Sequence, residues 1–197
     1  MKQVIAQIYI EDNKPKKAEN ILLELVKDNQ TLDFNPHILL LELYQKTRHF
    51  KKAENICTVY LKEEKEFGKS KFYTSCAWIY LIQEKYNSAE QYFKQAKQQN
   101  EKDMQTNMQY FEGNEDFINS MKKLSKIEWL QNMLVLEWKR GNMKLAKDYL
   151  QQLKLLDSDN NDTNLNQRLE ELMKRKNPSI KTKLIIKAFN DLLPKTE

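Results

Sequence analysis

The pentapeptide Lys-Lys-Ala-Glu-Asn occurs twice, at residues 16–20 and 51–55, and each copy leads into an apolar run with helical spacing. Looser echoes follow at Asn87-Ser88-Ala89-Glu90-Gln91-Tyr92 and Lys144-Leu145-Ala146-Lys147-Asp148-Tyr149, so a small residue recurs at Ala18, Ala53, Ala89 and Ala146. The first three alanines lie about 35 residues apart, a period that stacked helical hairpins adopt. In such arrays each unit buries its apolar face only against its neighbours, so local residues decide most of the architecture.

Composition points the same way. Three glycines and four prolines interrupt 197 residues, and no alternating Val, Ile and Thr run lies between Asn-Gly or Asp-Gly turns, whereas the helix formers Leu, Lys, Glu, Gln and Ala abound. The expected fold class is all-α. Met1 to Ile10 is too short and polar for a secretory leader, and no apolar run reaches the length that crosses a bilayer. A soluble, intracellular protein without a signal peptide is therefore expected. The net charge of +5 in a chain that is 31% charged permits an acidic partner without requiring one. Cys57 and Cys76 fit neither a disulfide framework nor a metal knuckle by spacing, and read as small buried hydrophobes.

Aligned on the alanines, each unit reads as a helix A, a turn and a helix B. Ala6 and Tyr9 precede Ala18, Leu22 and Leu25; Leu41 and Tyr44 precede Phe50, Ala53, Cys57 and Tyr60. Ala77 and Tyr80 precede Tyr86, Ala89, Phe93 and Ala96 in the clearest copy, and Leu134 and Gly141 precede Met143, Ala146, Leu150 and Leu153. Small side chains let two helices cross closely, and bulky ones a turn away fill the space between hairpins.

On these positions the chain resembles the tetratricopeptide repeat family over roughly residues 1–157. The resemblance implies a right-handed α-solenoid of about five hairpins, with units near 1–30, 35–66, 70–100, 102–125 and 127–157. The fourth is degenerate: Met108 and Phe111 would pack on Phe117, Ser120, Leu124 and Ile127. The family's tryptophan near the start of helix A is replaced by His37 and Tyr73, and its unit-end proline is missing. Residues 158–197 read as a C-terminal capping helix pair, the first carrying Leu165, Leu169, Leu172 and Met173, the second opening at Asn177-Pro178. The N-terminus has no such cap, so the outer face of its first helix is expected to dock on something else.

Little here resembles chemistry. His37 and His49 are the only ordinary neutral-pH bases; neither has a nucleophile motif nearby, and His37 occupies a packing slot. Gly68, Gly113 and Gly141 are isolated turn residues rather than a phosphate loop. Asp157-Ser158-Asp159-Asn160-Asn161 begins like a calcium loop, but Asp162 stands where the sharp turn needs glycine and Arg168 where a bidentate Glu should close the sphere. No catalytic residue, metal or cofactor is expected.

The resemblance places a concave groove along the helix A residues. The expected partner-contacting residues are Gln45, Lys71, Thr74, Trp78, Leu81, Ile82, Val135, Trp138 and Lys139, with Trp78 as the large rigid anchor that binding hot spots favour. The carboxylate clamp of the family's co-chaperones falls here on Gln3, Gln7, Leu39, Lys71 and Ser75, of which only Lys71 fits. The expected work is non-catalytic protein recognition or scaffolding within a larger assembly. An RNA-binding helical repeat is the alternative, weakened by basic residues that alternate with Glu, as in Lys62-Glu63-Glu64-Lys65-Glu66, instead of forming a stripe.

Overall fold

A computed structural model of the chain describes residues 1–27, 35–60, 68–108 and 114–156. Among these the chain forms eight helices and no strand: α1 (Lys2–Glu11), α2 (Pro15–Lys27), α3 (Pro36–Thr47), α4 (Phe50–Tyr60), α5 (Lys69–Ile82), α6 (Tyr86–Met108), α7 (Glu115–Arg140) and α8 (Met143–Leu156). Two compact units divide between Gln109 and Tyr110, and each is described by itself.

In the first unit α1/α2, α3/α4 and α5/α6 are hairpins. Each helix packs on the next, and α1 also touches α3, as α3 touches α5. Ala18, Ala53 and Ala89 are all completely buried, as close crossing requires. Leu22, Cys57 and Phe93, one turn further along helix B, are buried at the equivalent register.

The hairpin turns repeat in backbone detail. Asn13, Arg48 and Glu84 take left-handed φ values of 55°, 60° and 61°. The next amide then reaches back five residues, Lys14 N to Tyr9 O at 2.8 Å, His49 N to Tyr44 O at 2.9 Å and Lys85 N to Tyr80 O at 2.9 Å. This is the Schellman closure of a helix C-terminus, which satisfies carbonyls that would otherwise lack partners. Helix α3 starts as its sequence dictates: Asn35 Oδ1 accepts from His37 N at 3.0 Å, and Pro36 sits at the first helical position, where its missing N–H costs nothing.

The cysteines are buried as expected, but they are joined: Cys57 of α4 and Cys76 of α5 form a disulfide with Cα atoms 5.8 Å apart. The bond ties the second helix of one hairpin to the first helix of the next. Such cross-links persist in oxidising compartments, a signal absent from the sequence expectation of an intracellular protein.

In the second unit α7 and α8 pack as one hairpin. Helix α7 runs unbroken through residues 125–127, where the sequence reading sets a boundary between two units. The physical reason is that no glycine or proline lies between Gly113 and Gly141, so nothing interrupts the helix. Asn114 Oδ1 caps it by accepting from Phe117 N at 3.1 Å. Glu115 and Asp116 lie in the first turn and Lys139 and Arg140 in the last, the signs that the helix dipole favours. Helix α6 likewise continues to Met108, supported by Gln99 donating to Asp103 at 2.8 Å. Phe117 and Leu124 of α7 are 40% and 60% exposed, which differs from the compact fourth hairpin expected of them. The expected terminal pair, 158–197, lies outside the described residues.

Candidate functional site

The surface expected to meet a partner is carried by the first helix of each hairpin. In α5, Lys71 is exposed and Thr74, Trp78 and Ile82, at spacings of three and four, are half-buried, so they share one face. Trp78 leans edge-on against Phe93 of α6, centroids 5.8 Å apart and planes at 85°. That contact fixes the indole without covering all of it. Gln45 of α3 is also half-buried, and beside it Lys46 pairs with Glu42 at 2.9 Å.

Three expected contact residues lie elsewhere. Leu81, Val135 and Trp138 are only 3%, 2% and 4% exposed, so they are core. The register explains two of them. Leu81 and Trp138 each stand three residues before the left-handed turn residue, Glu84 or Gly141, the position where Ile10 is also buried and where the polar Gln45, three before Arg48, is half-buried. An apolar side chain there joins the core. Lys139 remains half-exposed, its ammonium 5.7 Å from the Trp138 ring centroid. The structure thus gathers Lys71, Thr74, Trp78 and Ile82 on one helix face of the first unit, whereas Val135, Trp138 and Lys139 belong to the second.

The two histidines have structural settings. His37 is buried, lies 6.5 Å edge-on from Phe72, and its Nδ1 is 3.2 Å from Asn35 Oδ1. His49 is exposed, its Nδ1 2.7 Å from Thr47 Oγ1. Among the described residues no cluster of His, Cys, Asp and Glu could hold a metal ion, and no helix is long and apolar enough to cross a membrane. The calcium-like segment from Asp157 lies outside them.

A constellation that sequence reasoning missed joins the hairpins. Glu19, the glutamate of the first pentapeptide, accepts from Tyr44 Oη and from Lys52 Nζ, each at 2.6 Å, and the Lys52 ammonium lies 5.4 Å over the Tyr44 ring. The second pentapeptide repeats this in outline. Glu54 pairs with Lys85, which lies 5.7 Å over the ring of Tyr80, and Tyr80 stacks on Tyr92 with centroids 5.2 Å apart. A glutamate of one hairpin is therefore held by a lysine of the next in both joints, and in the first by a tyrosine hydroxyl as well. Burial pushes the Glu19 carboxyl up, but hydrogen bonds from Lys52 and Tyr44 outweigh it, and the group ionises below its ordinary value. Burial, then the hydrogen bond to Glu19, raises the Tyr44 phenol well above its own. The repeated Glu and Tyr were visible signals, both recurring in register with the alanine.

Glu137 of α7 is a different case: it is 2% exposed, with Oε1 accepting from Arg140 Nη1 at 2.8 Å and Oε2 buried without a hydrogen-bond partner.

Residues 70–103, spanning nearly all of α5 and most of α6, match the family described as Tetratricopeptide repeat. No curated protein and no solved structure matches the chain.

Proposed function

Taking as premise that residues 70–103 are a tetratricopeptide repeat, a kind of unit that generally mediates protein–protein interaction, we propose that this chain is a non-catalytic recognition or scaffold subunit. The three hairpins of the first unit form a right-handed solenoid segment, and a peptide or helix of another protein lies along its α5 face. Trp78 anchors that ligand, Ile82 extends the apolar contact, and Lys71, Thr74 and Gln45 supply polar contacts from the same side.

The observation that supports this reading is the state of Trp78: a large aromatic half-exposed in the middle of the matched repeat, its ring held by Phe93. A fixed indole gives contact area with little ordering left to do on binding. The mixed charge of the helices supports a protein ligand over nucleic acid, since phosphate tracking needs a continuous basic surface.

The test is affinity capture with the full chain, its Trp78→Ala variant and its Lys71→Glu variant, each with and without nuclease, followed by mass spectrometry. Lys71 is exposed, so its reversal probes binding with the fold intact even where Trp78→Ala loosens α6. Loss of the same proteins with both variants is expected, unaffected by nuclease. Equal recovery with both would remove this face from the site, and capture that nuclease abolishes would favour RNA.

A further inference from the structure

The clasp between hairpins is made twice inside the first unit, and its receiving half occurs a third time, on the α1/α2 hairpin. Register equates Tyr9 with Tyr44 and Tyr80, Lys17 with Lys52, and Lys14 with Lys85. These two lysines sit over the Tyr9 ring, Lys14 at 5.9 Å and Lys17 at 5.5 Å from its centroid. Lys14 reaches Asp12 at 2.8 Å. Among the described residues no carboxylate meets Lys17 or the Tyr9 hydroxyl. Among the described residues, the group that Glu19 supplies to Tyr44, and Glu54 to Lys85, has no counterpart here.

The apolar positions agree. Ile5 and Ile8 of α1 are 37% and 49% exposed, while their register equivalents Leu40 and Leu43, and Cys76 and Ile79, are at most 3% exposed. What covers the equivalents is visible: α2 packs on α3 and α4 on α5, and Cys76, the equivalent of Ile5, is bonded directly to Cys57 of the preceding helix. Val4, at 60% exposure, widens the same face.

We propose that the outer face of the first hairpin, made of Val4, Ile5, Ile8 and Tyr9 of α1 with Lys14 of the turn and Lys17 of α2, is a docking socket for a helix of another protein. Its occupant has the chemistry of α2 and α4: an amphipathic helix with a carboxylate set among apolar residues, as in the second helix of a repeat hairpin. Charge complementarity selects it. Two ammonium groups and a phenol gather where, in each closed joint, a lysine meets a carboxylate, joined in the first by a tyrosine hydroxyl, and the isoleucines supply the apolar ground around it. The socket is on a different helix from Trp78, so its success or failure leaves the α5 face unaffected.

The probe is the chain's own donor helix, a peptide of residues 14–27 stapled between positions 16 and 20, both exposed, because an isolated helix of this length is marginal in water. It is titrated by fluorescence anisotropy into the full chain, with hydrogen exchange locating the contact. Saturable binding with protection in α1 is expected, weakened about tenfold or more by Ile8→Asp or Lys17→Glu in the protein. A Glu19→Lys peptide should also bind weakly to the native chain and regain affinity with the Lys17→Glu protein, a charge swap that separates a specific clasp from apolar stickiness. Circular dichroism of the variants should be unchanged, since the substituted positions are exposed. Absence of binding at about 1 mM peptide, protection elsewhere, or no recovery in the charge swap would overturn the proposal. So would a dimer of the chain that Ile8→Asp dissociates and the peptide does not displace, because the occupant would then be a second copy.

Discussion

Ala53 and Ala146 are both completely buried, each near the start of the second helix of a hairpin, yet their surroundings differ. In α2 and α4 the residue after the alanine is a glutamate clasped by the following hairpin. In α8 the residue at that place is Lys147, and it is exposed. The first unit therefore carries two kinds of repeated information, a small residue that lets helices cross and a carboxylate that joins hairpins, whereas the α7/α8 hairpin carries only the first. Closing a hairpin needs local sterics alone. Stacking one on another needs groups matched across the seam.

The largest effect expected on that contrast comes from the disulfide, which crosses a seam in the first unit. With a sequence separation of 19, reduction should lower stability by about 3 kcal/mol. Differential alkylation of the unfolded, unreduced protein should find no free thiol. Two free thiols, or a melting curve indifferent to reductant, would remove the bond from the account.

Overpacking the crossings probes the part the two units share. Ala89→Leu and Ala146→Leu should each cost about 1–3 kcal/mol, and hydrogen exchange should accelerate in α5 and α6 for the former and in α7 and α8 for the latter. Acceleration spread equally over both units for either variant would mean that they unfold as one body.

The turns separate the units by a smaller margin. Gly141 adopts φ 87° and a Cβ there would meet nothing within 4 Å, so Gly141→Ala should cost about 1 kcal/mol through backbone strain alone. Glu84 holds the equivalent place at φ 61° as an ordinary L-residue, and Glu84→Gly should be neutral or stabilising by up to about 1 kcal/mol. Opposite signs in thermal melts would confirm that the two turns are the same device.

The hairpin register was legible because sterics write it directly: only a small side chain fits where helices cross, and it must recur with the unit. The site was legible in part. Trp78 and Ile82 lie half-buried on one helix face as the spacing implies, but Leu81 and Trp138 do not, because an apolar residue three before the turn joins the core, a tertiary fact that periodicity does not carry. The long α7 was misread as two segments for a related reason. Repeat length suggested a break, while the absence of glycine and proline, a purely local fact, permitted none. The disulfide was hidden because Cys57 and Cys76 are remote in sequence and become neighbours only once consecutive hairpins are stacked in register.

The joint between hairpins is tested most directly by double-mutant cycles on Glu19/Lys52 and Glu54/Lys85, measured at pH 7 and again in acid. Both pairs should show favourable coupling of about 0.5–1 kcal/mol, modest because the lysines are half exposed to water. Glu19 ionises below its ordinary value in the folded chain. Its contribution is therefore complete above the unfolded value of 4.5 and should be lost as the pH falls through the folded one. Coupling in both pairs at pH 7, with that of Glu19/Lys52 disappearing in acid, is the predicted result; coupling indistinguishable from zero at pH 7 in both would contradict the claim that the repeated glutamate joins one hairpin to the next.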